Sequence, residues 1–287
     1  MKAPAFRYAR PDTLEAALDL LTRHGESAAV LAGGQSLLAA LNMRLAAPAL
    51  LVDINRLAPL AGIEERGDMI RIGALARHAE VAASPLIARH APLIALAMPH
   101  VAHVAVRNRG TFGGSLALAD PAAELPACAV ALGARLVLAS VRGRRTVAAE
   151  AFYKGLYTTD RAPDELLIEV EVPKRPGWRF GFAELSRRQG DFAIVGLAAA
   201  VVPANDGIGE LRLVYFGSES HARLAAHAGA AAAGRPLDRP TVDAIIAALD
   251  RDLDPMGSLQ GRPDTKLHQA KVLTRRVLAG LAGREGA

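Results

Sequence analysis

The sequence predicts an α+β protein in two parts. Two observations carry this. Between Phe6 and Ile54 the chain alternates strand, helix and strand within a short span, the order of an α/β unit. Beyond Lys174-Arg175-Pro176-Gly177, where proline and glycine cluster between strand patterns, strands give way to helices.

Phe6–Ala9 is a short strand. Asp12 is the expected cap of the first helix, with Glu15 three residues on. Leu14, Ala17, Leu18 and Leu21 follow at helical spacing, and Gly25 ends the run. Ala28–Leu31 is a strand, and Leu37, Leu38, Leu41 and Leu45 give a second helical pattern that Pro48 breaks. Leu50–Ile54 is the next strand. Ile63–Glu65 and Met69–Gly73 flank a hairpin turn at Arg66-Gly67-Asp68. Glu80–Ser84 reads as a short helix, and Pro92–Ala105 as a longer segment that puts His100 and His103 on one helix face. Asp120-Pro121 reads as a helix start, with Asp120 at the cap and Pro121 in the first helical position. Arg135–Ala139 and Arg145–Val147 form a second hairpin, and Leu166–Val172 is a strand closed by Pro173. Past the linker, Arg179–Ser186, Ile194–Val202 and Glu210–Phe216 are strands. Ala222–Gly234, Pro240–Leu249 and Thr265–Ala282 are helices, the last with Asp264 as a cap.

Composition excludes several functions. With 51% hydrophobic and 22% charged residues, the chain can bury a sizeable core. No run reaches the roughly 18 apolar residues of a membrane span, and the N-terminal stretch shows no secretory signal. The expected location is the cytoplasm, with no membrane span. One cysteine, Cys128, rules out internal disulfides, a thiolate-rich zinc site and a cluster held by this chain's own cysteines. Its apolar neighbours point to packing. A net charge of +5 is spread along the chain, and aromatics are only 4%, which leaves few stacking platforms and argues against nucleic acid. His100 and His103 lack a third ligand and the H-E-x-x-H pattern, so no metal site is expected.

Two glycine–hydroxyl stretches stand out. Gly110-Thr111-Phe112-Gly113-Gly114-Ser115 holds three glycines, two hydroxyls and no acid, with Arg107 and Arg109 upstream. Ala32-Gly33-Gly34-Gln35-Ser36 sits between a strand and a helix start, where free N–H groups gather. Either could be only a tight turn; together they suit a ligand with two linked phosphates. Asp120 and Glu124 could serve a helix terminus or bind ligand hydroxyls. The P-loop, the G-x-G-x-x-G fingerprint and the G-x-S-x-G elbow are absent, so phosphates would be held mainly by neutral amides.

The motifs A-G-G-Q-S-L at 32–37, D-I-N-R-L at 53–57, I-G-A-L at 72–75, R-N-R-G-T-F-G-G-S at 107–115, A-D-P-A-A-E-L-P at 119–126 and S-R-R-Q-G-D-F-A at 186–193 resemble the medium, FAD-binding subunit of molybdenum hydroxylases, the carbon monoxide and xanthine dehydrogenase relatives. The resemblance implies an FAD-binding domain of the vanillyl-alcohol-oxidase type over 1–175, in two subdomains divided near residue 57. A C-terminal α+β domain over 176–287 would follow. It implies that Ala32, Gly33, Gly34, Gln35, Ser36 and Leu37, with Thr111, Phe112, Gly113, Gly114 and Ser115, hold the FAD pyrophosphate. Asp120 and Glu124 would meet the flavin's sugar-like chain or ring edge, Leu167 would line the cofactor, and Asp191-Phe192 would lie near the isoalloxazine. Gln35 stands where carbon monoxide dehydrogenase-like members often have histidine, and Phe112 where isoleucine is usual. The tyrosine–arginine pair often seen in the last helix is absent, and Leu267-His268-Gln269 and Lys271 occupy that region.

The implied role is a relay. A large partner would carry the molybdenum cofactor and a small partner the [2Fe–2S] clusters, in a dimer of heterotrimers. FAD on this chain would pass electrons to an external acceptor, with no catalytic side chain of its own. The alternatives are a stand-alone FAD-dependent reductase of the same superfamily and a basic scaffold whose glycine bends are only turns. Acidic replacement of Gly33 or Gly113 is expected to leave a folded chain without flavin.

Overall fold

A computed structural model describes residues 2–204 and 207–282, so residues 283–287 of the expected second domain lie outside the description. Three parallel strands, Arg7–Ala9, Leu50–Asp53 and Ala28–Leu31, lie side by side in that order. Helix Leu14–His24 buries Ala17, Leu18 and Leu21 against Leu50 and Val52. Its cap is Thr13, whose Oγ1 accepts from Ala16 N at 3.2 Å. Asp12 is not the cap and pairs with Arg56 at 3.0 Å; the hydroxyl one residue nearer reaches the orphan N–H groups.

A five-stranded antiparallel sheet follows, in the order Ile63–Arg66, Met69–Gly73, Leu166–Pro173, Arg135–Ser140 and Gly143–Ala148. Its register slips between Leu167 and Glu169. The slip lets Leu166 and Ile168 pack toward the three-stranded sheet, while Leu167, Val170 and Val172 join the helices on the other side. Those helices are His78–Ala83, Pro85–His90, Pro92–Ala97, Phe112–Leu118 and Glu124–Leu132.

The third sheet is antiparallel, Arg179–Ser186, Ala193–Ala204, Gly207–Phe216 and Arg223–Leu224. The long strand Ala193–Ala204 is buried on both faces. Val195, Leu197, Ala199 and Val201 meet the helices Ala226–Ala232, Arg239–Asp252 and Pro263–Ala282. Ala193, Ala198 and Ala200 belong to the central core with Leu125 and Ala129 of helix Glu124–Leu132. The proline–glycine linker therefore joins two parts that share one core. Arg212 reinforces the contact, donating to the carbonyls of Val130 and Ala131 at 3.0 Å each. Among the described residues no helix is long and apolar enough to cross a membrane.

Local boundaries differ from expectation in several places; the last helix starts at Pro263, so Asp264, expected as its cap, lies inside its first turn. The helical segment from Pro92 stops at Ala97, and only Val104–Arg107 resumes it. His100 lies in the turn between and His103 is an N-cap, so they share no helix face. Asp120 caps nothing: Ala119 adopts a left-handed φ of 55° that closes the preceding helix. Asp120-Pro121-Ala122 then forms a turn, with Ala122 N donating to Asp120 Oδ1 at 2.9 Å, and the helix starts at Glu124. Arg223–Leu224 forms an edge strand, so the expected helix over 222–234 shrinks to Ala226–Ala232.

Candidate functional site

The two glycine bends touch. A Cβ added to Gly33 would sit 2.4 Å from the Arg109 carbonyl oxygen and 2.8 Å from Gly110 Cα. No side chain fits there, so glycine at 33 is what lets the bends meet. The first bend lies at the carboxyl end of strand Ala28–Leu31, beside that of Leu50–Asp53, where open parallel sheets place ligands.

The bends differ in what their N–H groups do. Among the described residues, no acceptor takes the backbone N–H of Gly33, Gly34, Gln35, Ser36 or Leu37. Gly34 turns the chain with a φ of 72°, and Gln35 folds back on the Gly33 carbonyl at 3.2 Å. Ser36 and Gln35 are exposed, and Ser36 Oγ makes no cap bond.

In the second bend most donors are spent. Phe112 N donates to the Ala76 carbonyl at 2.9 Å and Gly113 N to the Ala74 carbonyl at 3.0 Å. Gly114 N donates to Thr111 Oγ1 at 3.2 Å and Ser115 N to the Thr111 carbonyl at 3.1 Å, so Thr111 caps helix Phe112–Leu118. Among the described residues, what remains is the Thr111 N–H and the hydroxyl hydrogens of Thr111 and Ser115. Phe112 is fully buried in the central core, so its larger ring is absorbed by packing. A Cβ at Gly113 would lie 2.5 Å from Ala74 Cβ. The I-G-A-L motif at 72–75 is thus the seat on which the second bend rests.

His78 holds that bend from below. Its backbone N donates to the Gly110 carbonyl at 3.0 Å, and its Nε2 lies 2.9 Å from the Thr111 carbonyl, which requires Nε2 to be the protonated nitrogen. Burial pushes the imidazole down to about 4, so it is neutral at pH 7. Arg77 donates from Nη1 to the Arg109 carbonyl at 2.5 Å and from Nη2 to Asn55 Oδ1 at 2.7 Å. Asn55 in turn donates from Nδ2 to the Ala32 carbonyl at 2.9 Å and to Asp53 Oδ1 at 2.6 Å. Asp53 is itself fixed by the Tyr8 hydroxyl at 2.5 Å. Asn55, Arg77 and His78 lie in turns or at a helix start, where no hydrophobic period marks them. The only sequence signal was their place in or just after the motifs at 53–57 and 72–75.

The seven-residue helix Phe112–Leu118 leads from the second bend, over about 10 Å at 1.5 Å per residue, to Asp120. There Asp120 Oδ2 accepts from the Tyr157 hydroxyl at 3.2 Å. Tyr157 carries a positive φ of 50° and is exposed. Glu124 is buried, and burial, reinforced by Glu184, pushes its carboxyl up to about 7. Glu184 is paired with His100 Nδ1 at 3.4 Å, and this pairing raises the His100 imidazole. Leu167 is buried in the same cluster as Phe112 and Leu116, behind the helix. Asp191 lies elsewhere, in a turn where it accepts from Phe192 N at 3.0 Å and pairs with Arg188 at 3.1 Å. That turn packs on the one at 102–103, since a Cβ at Gly190 would lie 2.8 Å from the Ala102 carbonyl. Phe192 is 64% exposed. Arg107, expected to supply charge to the bend, donates to the carbonyls of Val101 and Ala102 at 3.0 and 2.8 Å.

These residues fit a diphosphate. One bend offers a row of unspent N–H groups, the other a fixed wall with hydroxyls, and no acidic side chain belongs to either. A bound dianion would gain charge-assisted hydrogen bonds of about 1.5–3 kcal/mol each.

Comparison with known proteins agrees. Residues 4–175 match the family described as the FAD binding domain in molybdopterin dehydrogenase. Residues 180–281 match the CO dehydrogenase flavoprotein C-terminal domain. The chain is 36% identical to the nicotine 6-hydroxylase medium subunit of Paenarthrobacter nicotinovorans, over 99% of this chain and 100% of that one. It superposes with a TM-score of 0.94 on the carbon monoxide dehydrogenase of Hydrogenophaga pseudoflava, 35% identical over 97% of this chain and 98% of that one. With quinoline 2-oxidoreductase from Pseudomonas putida 86 the TM-score is 0.92, at 36% identity and 99% coverage of both chains. The chain therefore belongs to the FAD-binding medium subunits of the molybdenum hydroxylases, and is a flavoprotein oxidoreductase subunit.

Proposed function

We propose that this chain is the electron-exit subunit of a cytoplasmic molybdenum hydroxylase, assembled with a large molybdenum-binding subunit and a small iron–sulfur subunit as a dimer of heterotrimers. The observation that carries the cofactor assignment is the contact of the two bends at Gly33 and Arg109. Ala32 to Leu37 would hold the diphosphate through backbone N–H groups. Thr111 and Ser115 would add hydroxyls, while Phe112, Gly113 and Gly114 build the wall. Asp120, at the far end of the intervening helix, and Glu124 would meet a more distal part of an extended dinucleotide. Leu167 backs that helix. Asp191 holds the turn that presents Phe192 at the surface.

The bound FAD would supply the redox chemistry, taking electrons from partner clusters and releasing them to an external acceptor. The chain's own residues bind and orient it. In support, the relatives include medium subunits and chains of dehydrogenases and hydroxylases.

The test is a tag on this chain in its native host. Recovery of a large molybdenum-containing chain and a small iron-containing chain, with FAD released on denaturation and identified by mass, supports the reading. Recovery of the chain alone with FAD favours a stand-alone reductase, and recovery without flavin contradicts both.

A further inference from the structure

The free N–H groups of the first bend and the spent ones of the second raise the question of what fixes the gap between them. The bends are separated by more than 70 residues of chain, and where Gly33 meets Arg109 and Gly110 the nearest atoms are backbone. The link is a chain of side-chain hydrogen bonds. Asp53, at the end of a central strand and anchored by Tyr8, holds Asn55 through both its backbone N (2.9 Å) and Nδ2 (2.6 Å). Asn55 Nδ2 also reaches the Ala32 carbonyl at 2.9 Å, in the first bend. Asn55 Oδ1 accepts from Arg77 Nη2 at 2.7 Å, and Arg77 Nη1 reaches the Arg109 carbonyl at 2.5 Å, at the second bend.

We propose that Asn55 and Arg77 act together as a strap that sets the spacing and aim of the two diphosphate-binding bends. The physics follows from the planar trans peptide, in which the C=O of one residue and the N–H of the next point in opposite directions. Pinning the Ala32 carbonyl on the strap side turns the Gly33 N–H to the opposite side. The Gly110 carbonyl, held by His78 N at 3.0 Å, aims the free Thr111 N–H in the same way. The strap needs a group that donates from two nitrogens at a fixed angle, which a guanidinium does and an ammonium does not. Arg77 and Asn55 are positioning residues, acting through the backbone of the bends. The inference rests on the FAD reading.

The experiment measures FAD affinity of the full chain, stripped of flavin, together with its melting temperature before flavin is added. The variants are Arg77→Gln, Arg77→Lys, Asn55→Ala and the double variant Asn55→Ala/Arg77→Gln. A strap predicts that each single change weakens FAD about tenfold or more. It predicts that Arg77→Lys fails to rescue, and that the double variant is no weaker than the weaker single one, because either change cuts the same link. Wild-type affinity in Arg77→Lys would show that charge alone matters and overturns the proposal, as do additive losses in the double variant or unchanged affinity in Arg77→Gln. If Asn55→Ala does not fold, the contrast between Arg77→Gln and Arg77→Lys decides alone. A wild-type chain that binds no FAD would instead defeat the cofactor reading, a result distinct from all of these.

Discussion

The two glycine bends have similar composition and opposite duties. The first, at 32–37, is a surface turn whose N–H groups are unspent. The second, at 110–115, is sunk into the core, its N–H groups given to Ala74, Ala76 and Thr111 and the carbonyls of Gly110 and Thr111 held by His78, with Arg77 on the adjoining Arg109 carbonyl. Glycine serves a different purpose in each. At Gly33 it lets another strand of backbone approach an exposed turn; at Gly113 it lets a helix start sit flush on Ala74. The lesson is that a phosphate cradle needs a rigid wall as much as it needs donors, and the same residue type builds both.

That contrast breaks most visibly at Gly113. The sequence led us to expect a folded, flavin-free chain on acidic replacement there. The structure changes that expectation, because the added atoms would meet the Ala74 backbone 2.6 Å away in a buried seat. Overpacking costs about 1–3 kcal/mol and an unpaired buried carboxylate adds more. Gly113→Asp should therefore lower the melting temperature of the flavin-free chain by on the order of 10 °C, as well as abolish flavin binding. Calorimetry of the flavin-free protein checks this.

Acid and base act on the two ends of the helix that joins the second bend to Asp120 and Glu124. Burial, with Arg107 and Arg77 beside it, holds His78 down to about 4 from an ordinary 6.5. The unfolded chain then binds the extra proton, so this group's contribution is complete above pH about 6.5 and lost as pH falls toward about 4. Burial, reinforced by Glu184 and Asp120 and opposed by His100, raises Glu124 from 4.5 to about 7. Here the folded chain binds the extra proton, so stability is lost as pH rises from about 4.5 to about 7. Each full swing is worth roughly 3 kcal/mol. Between about pH 4.5 and 6.5 the slopes oppose one another. Glu124→Gln should leave a stability that climbs with pH across that window, and His78→Gln one that falls, measured by urea unfolding.

Gly33→Ala sharpens the comparison from the other side. Its Cβ would press on the Arg109 carbonyl, but the first bend is partly exposed and can part from the second. We expect FAD affinity to fall by tens of fold, with a loss of stability well under that of Gly113→Asp; equilibrium flavin titration and melting together test it. The smallest effects belong to the hydroxyls. Ser36→Ala and Ser115→Ala each remove one hydroxyl donor to the dianion, at the lower end of the about 1.5–3 kcal/mol of a charge-assisted bond, so each should weaken FAD about tenfold with the fold intact.

Much of this was legible in the sequence. The strand–helix–strand opening, the hairpin at Arg66-Gly67-Asp68 and the long strand around Ile194–Val202 are local patterns, and they appear close to where the periodicity put them. The glycine bends were legible as a pair because their motifs are long. The sequence did not reveal which N–H groups are spent, since that depends on Ala74 and Ala76, over 30 residues away. Nor did it reveal Asn55 and Arg77, which meet each other across 22 residues and reach the bends through backbone carbonyls, which every residue has. Helix starts went astray where a short polar side chain had two uses. Thr13 outcompeted Asp12 at the first helix, and Asp120 turned to Ala122 and Tyr157.

Amide hydrogen exchange of the full chain, with and without added FAD, tests the division of labour between the bends most directly. The account predicts that the N–H groups of Gly33 to Leu37 exchange quickly without FAD and become strongly protected with it. Those of Phe112 and Gly113 should be slow in both states. Rapid exchange at Phe112 and Gly113 without FAD, or no gain of protection at Gly33 to Leu37 when it is added, would contradict it.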